Sequence, residues 1–200
     1  MHGLINRSIQ SFVIDTYGAQ SWRLATAKAE IGFENFEAML VYDDDLSLRL
    51  LDEIASTHGK NVETILEDLG TYLVSHKRFE RLRRLLRFGG RDFLEFLFSL
   101  DELRDRTQLA VPDFDMPDLS VSVIGEGQFR VRCDWAVTGF AHVLIGVLRT
   151  MADDYGDLVF LEFANGVDVD DAIEVTILEQ DYAQGRDFQI MPSEENNGCV

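Results

Sequence analysis

Cationic side chains are scarce in this chain: its 200 residues hold 18 lysines and arginines against 36 aspartates and glutamates, a net charge of −18. Phosphate binding needs a cationic face, so a nucleic-acid partner is not expected. Long apolar runs are missing too, since no window approaches the roughly eighteen uninterrupted apolar residues of a membrane span. The opening MHGLINRSIQSFVID is broken by Asn6, Arg7 and Gln10 and reads as neither a span nor a signal peptide. Cysteine is limited to Cys133 and Cys199, far apart in sequence, which fits reduced thiols in a cytoplasmic protein. The signatures GxSxG, GxGxxG, HExxH and the P-loop are absent, and no His, Cys or carboxylate spacing suits zinc or a facial triad. No catalysis is expected.

What is present is an ordinary globular composition, 46% hydrophobic and 27% charged, in a length suited to one domain. Its charge is uneven. Residues 1–106 carry 14 basic and 18 acidic side chains, whereas 107–200 carry 4 and 18. Between these halves LAVPDFDMPDL, with two prolines and three aspartates, cannot continue a helix and predicts an extended connector over 112–118. The expected organisation is one domain over 1–191, with a helical lobe at 1–111, an α+β lobe at 119–191, and a flexible tail at 192–200.

Helical spacing marks the first lobe. Leu4, Ile5, Ile9, Phe12 and Val13 form one stripe ended by Gly18, and a second helix is predicted from about Gln20 to Glu30. Asp43 to Asp45 can cap a third helix running to His58-Gly59, and Asn61 with Thr64 can open a fourth. Phe79 to Phe88 reads as a basic amphipathic turn or two, followed by one long helix from Asp92 to about Leu109. The stretch from Lys77 to Arg91 holds seven basic residues and one acid, Glu80. It reads as a solvated helix face or as a docking face for an acidic partner or another copy of this chain.

After the connector the period changes to two. Leu119 to Ile124 and Phe129 to Cys133 flank Gly125-Glu126-Gly127 and predict a hairpin. Gly139 to Tyr155 is helical, and strands follow at Leu158 to Phe163 and Ala172 to Leu178. A turn holding Gly166 and Asp168-Val169-Asp170-Asp171 joins these last two strands; Ile173 stands where an EF-hand needs glycine, so it reads as solvated. The fold class is α+β, an amino-terminal helical lobe followed by an antiparallel sheet lobe with one packed helix.

MHGLIN, the DTYG of Asp15 to Gly18 with Trp22, LGTYL at Leu69 to Leu73, FGGRDFLEFLFSLDEL at Phe88 to Leu103, Pro117 and GFAHVLIGVLRTMADDYG from Gly139 together resemble the H-NOX family, the heme nitric oxide and oxygen binding domain. The resemblance implies heme b between the lobes, sensing of a diatomic gas, and a signalling partner such as a diguanylate cyclase, a histidine kinase or a chemotaxis protein. It implies one histidine as iron ligand and a Tyr-x-Ser-x-Arg motif clamping the propionates. It also implies that Ile5 and Pro117 press on the cofactor and that Gly70 is a small residue on its distal side, and Ile5, Gly70, Leu73 and Pro117 are the candidates to line the space between the lobes.

The anchor positions depart from the family. The ligand position holds Arg104, whose guanidinium has no lone pair for iron. The clamp positions hold Cys133, Trp135 and Val137. Two propionates would enter without a designated cation. Three functional readings stay open at this point: a sensor that binds another apolar molecule, such as a fatty-acid-like ligand; a heme sensor using a substitute ligand, for which His2, His76 and Cys133 are the candidates; and a cofactor-free adaptor acting on a signalling enzyme. His58 at a helix end and His142, expected to face solvent, are not among the substitute ligands.

Overall fold

Side-chain caps set the first helices. His2 Nδ1 accepts from the Leu4 N–H, Asp43 Oδ1 from Asp45 and Asn61 Oδ1 from Thr64 (3.2, 3.1 and 2.9 Å). Each satisfies an orphan donor of a first turn. The computed structural model describes residues 1–135, 137–164 and 172–187. Its helices are α1 (Gly3–Tyr17), α2 (Ala19–Lys28), α3 (Asp44–His58), α4 (Val62–Ser75), α5 (Glu80–Arg87), α6 (Phe93–Phe98), α7 (Leu103–Ala110) and α8 (Phe140–Tyr155). The strands are β1 (Asp118–Gly125), β2 (Gln128–Asp134), β3 (Leu158–Phe163) and β4 (Ala172–Glu179), in one antiparallel sheet of order β1-β2-β4-β3. The Gly166 turn with Asp168 to Asp171, the tail 192–200 and Cys199 lie outside the described residues.

The expected long helix from Asp92 to Leu109 is broken. A 3₁₀ turn at Ser99–Glu102 separates α6 from α7, and the Leu103 N–H bonds Leu100 O in place of Ser99 O. The freed Ser99 carbonyl accepts from Arg106 Nη2 at 2.8 Å, and Asp101 Oδ1 accepts the Val121 N–H of edge strand β1 at 2.8 Å. One contact seven residues on and one from strand β1 thus hold the tighter turn, which periodicity alone does not signal.

Two apolar cores form, and they do not divide at the connector. One lies within α1 to α4 and includes Phe12, Trp22, Phe36, Ile54 and Ile65, together with Val143 of α8. The other lies under the sheet and takes Phe93, Phe96, Leu97, Leu100 and Leu103 from before the connector, with Leu144, Leu148 and Met151 of α8. Helix α8 therefore belongs to both cores. It crosses α4 at backbone distance: a Cβ on Gly70 would stand 2.0 Å from Val143 O, and one on Gly146 2.1 Å from Glu67 O.

A second tie spans the lobes. Asp154 at the end of α8 is buried and receives Arg83 Nη2 at 2.8 Å and Arg87 Nη1 at 3.8 Å from α5. The Arg87 guanidinium also lies 3.8 Å from the centre of the Tyr155 ring. Burial raises the Tyr155 phenol to about 12, and its hydroxyl donates to Gly90 O at 2.8 Å. The basic stretch divides: Arg83 and Arg87 turn inward to Asp154, whereas Lys77, Arg78, Arg81 and Arg91 are exposed, with Arg78 beside Asp15, Arg84 beside Glu80 and Arg91 paired with Glu95.

Candidate functional site between the lobes

A cavity of about 670 Å³ opens between the lobes. That size falls within the roughly 300–1,000 Å³ of small-molecule pockets. Helices supply most of its wall because each carries apolar residues three or four positions apart on one face. Leu4, Ile5 and Ile9 come from α1, Leu66, Leu69 and Leu73 from α4, and Leu82, Leu85 and Leu86 from α5. Leu100, Leu103, Thr107 and Val111 continue along the broken helix, then Phe114, Met116 and Pro117 of the connector. Trp135, Val137, Phe140, Val143, Leu144 and Val147 close the other side.

The sequence-marked residues distribute as follows. Ile5, Leu73, Pro117, Trp135 and Val137 are on the wall. Gly70 is not; its Cα face is filled by the Val143 carbonyl, so its smallness serves helix crossing and not cavity volume. Cys133 points into the sheet core, buried among apolar neighbours. Arg104 is turned away from the cavity: Nη1 donates to Asp118 Oδ2 at 3.1 Å and Nη2 lies 3.9 Å from Asp115 Oδ1. Trp135 Nε1 donates to the same Asp115 at 3.3 Å, so the connector is tied to both flanks of the site.

The candidate substitute ligands sit elsewhere. His2 caps α1 through Nδ1 and meets the Phe114 ring edge-on at 5.2 Å. His76 accepts the Arg78 N–H through Nδ1, lies 3.8 Å from Asp15 and stacks on Tyr72 at 4.6 Å. Tyr72 Oη in turn donates to Asp15 Oδ2 at 2.5 Å, and burial with that carboxylate pushes its phenol upward. The imidazole that does reach the wall is His142, which was expected to face solvent. Its Nδ1 is buried without a hydrogen bond and lies 3.9 Å from Glu67 Oε1, while its ring packs on Phe163 at 4.5 Å. The signal that would have placed it was its position one residue before Val143, on the α8 face turned toward α4.

The Haem-NO-binding (HNOB) family profile matches residues 2–162, and the chain belongs to this family. Among curated proteins it is similar to Soluble guanylate cyclase 89Db of Drosophila melanogaster, 20% identical over 155 residues, covering 78% of this chain and 23% of that protein. Soluble guanylate cyclase gcy-35 of Caenorhabditis elegans is 29% identical over 161 residues, covering 76% of this chain and 22% of that protein. The chain thus spans under a quarter of the length of either relative. Among solved structures, one from work on the mechanism of H-NOX activation superposes with a TM-score of 0.73 at 17% identity, covering 90% of this chain and 98% of that one. An oxygen-binding H-NOX domain related to soluble guanylate cyclases, in its oxygen complex, gives 0.70 at 16% identity over 94% of this chain and all of that one (100%). The fold is that of H-NOX domains.

The volume would admit a porphyrin, but the donor set does not fit heme as the family holds it. Among the described residues the wall includes no lysine or arginine, and its charged side chains are the carboxylates Glu63 and Asp115. A dianionic porphyrin would meet like charge and no clamp. No described helix is long and apolar enough to cross a membrane.

Proposed function

We propose that this chain is an H-NOX-family sensor module in which the inter-lobe cavity takes a small apolar molecule in place of heme. The observation that carries the reading is the pairing of an apolar cavity of about 670 Å³ with Arg104 turned outward onto Asp118. The iron-ligand position is spent on the connector, and the cation that would hold propionates is Val137. Binding would be driven by removal of apolar surface from water, about 25 cal/mol per Å². The module has no catalysis of its own, acts in the cytoplasm and passes its state to a signalling enzyme, a nucleotide cyclase or histidine kinase; the curated relatives are themselves guanylate cyclases.

Occupancy can reach the surface because the wall is shared. Val143 and Leu144 face the cavity from the helix that joins both cores, and α4 contributes Leu66, Leu69 and Leu73. A molecule wedged between them bears on the α4–α8 crossing. A second reading, a heme sensor with a substitute ligand, is favoured by His142 on the wall.

Native mass spectrometry of protein purified from heme-supplied cells tests the proposal. It predicts a co-purifying, solvent-extractable apolar adduct that Leu73→Asn, which places an amide in the apolar wall, weakens. A heme adduct at one per chain would contradict it.

A further inference from the structure

We infer that the cavity selects a long-chain aliphatic molecule whose polar end is a hydrogen-bond donor and not an anion, an alcohol in the neutral case and an amine in the cationic one. This rests on the reading that the cavity binds an apolar ligand in place of heme. The hydrogen-bonding character of the wall sets this preference.

Three of its donors, Ser8, Thr107 and Trp135, are already used, and the unbonded Nδ1 of His142 faces the Glu67 carboxylate at 3.9 Å. Ser8 Oγ donates to Leu4 O at 2.9 Å, Thr107 Oγ1 to Leu103 O at 2.8 Å, and Trp135 Nε1 to Asp115 at 3.3 Å. A hydroxyl that donates backward to its own helix keeps its lone pairs, so Ser8 and Thr107 offer acceptors. Glu63 and Asp115, both exposed, place two carboxylates at the rim, beside the exposed Thr138 hydroxyl.

The cations beside the wall do not reverse this. Arg104 sits against Asp118 and Asp115, two carboxylates to one guanidinium, and the Met1 ammonium is held by Asp44. His142 faces Glu67. A ligand carboxylate entering here would be desolvated next to like charge, whereas a hydroxyl or ammonium would find acceptors. The same chemistry that turns away porphyrin propionates turns away a free fatty acid, and it narrows the fatty-acid-like ligand expected from sequence to one without the acid.

Dodecanol, dodecylamine and dodecanoate share one chain and differ only at the end, so they isolate the head group. Trp135 reports binding through its emission, and Trp135→Phe removes the signal against the constant background of buried Trp22. With each probe below its micelle concentration, the alcohol and the amine should saturate the signal and the carboxylate should bind about tenfold or more weakly. The double variant Glu63→Gln with Asp115→Asn should narrow that gap. Dodecanoate binding as tightly as dodecanol would overturn the head-group inference while leaving an apolar cavity in place. Saturable binding by none of the probes would overturn the cavity reading beneath it.

Discussion

Arg104 Nη1 meets Asp118 Oδ2 at 3.1 Å, so Arg104 fastens α7 to the first residue of β1. The guanidinium is one-third exposed, and such a pair contributes about 1 kcal/mol or less. Arg104→Ala should therefore lower stability little, measured by urea unfolding, and should leave the affinity of apolar probes within about threefold. A loss of several kcal/mol would give this pair a structural weight that the account does not assign it.

Restoring the anchors is the complementary experiment. Arg104→His alone should give weak heme uptake in a hemin titration followed by Soret absorbance. Adding Trp135→Ser and Val137→Arg, both on the wall, should strengthen it. Cys133→Tyr, the third change that the family motif suggests, should cost stability and not help, because Cys133 lies in the sheet core. Equal uptake with and without the wall changes would count against the missing-cation argument.

Gly70 and Gly146 predict large losses for the smallest additions. A methyl group at either position would enter the backbone of the facing helix, so Gly70→Ala should destabilise by about 2–3 kcal/mol despite its gain in helix propensity. Urea unfolding checks this, and a neutral or stabilising Gly70→Ala would contradict the close crossing of α4 and α8.

These examples also mark what was legible in the sequence. The helices, their caps at Asp43 and Asn61, the hairpin at Gly125-Glu126-Gly127 and the position of α8 follow from periodicity and local turn chemistry, both encoded within a few residues. What escaped depends on partners far along the chain. The 3₁₀ break is held in part by β1, Arg83 and Arg87 of the basic stretch turn toward Asp154, and Gly70 is small because α8 passes it. In the site, Ile5, Leu73 and Pro117 were readable from motif positions, whereas the wall role of His142 needed the rotation of α8 against α4.

Asp154 illustrates the cost of such a distant partner. Removing its charge leaves the buried Arg83, among the described carboxylates, with only the part-exposed Glu80 at 3.3 Å, so Asp154→Ala should destabilise by about 3 kcal/mol. Replacing both residues by apolar ones, Arg83→Met with Asp154→Leu, should recover much of that loss. A double variant no better than the single one would show that the tie does not act as a pair.

Tyr155 sets an alkaline limit. Its phenol ionises at about 12 when folded against an ordinary 10, because burial disfavours the charged form. The folded chain holds the proton more tightly, so this stability is fully present below about pH 10 and is lost as pH rises toward 12. Denaturant unfolding between those values should show the decline, and Tyr155→Phe should flatten it. An unchanged slope in the variant would assign the decline to another group.

The central claim is that a heme-family cavity here lacks both of heme's anchors, and hemin titration of the ligand-free wild-type chain tests it most directly. No saturable Soret band at one heme per chain is expected. A saturable one-to-one Soret band, retained in Arg104→Ala and lost in His142→Ala, would contradict it and establish His142 as the iron ligand.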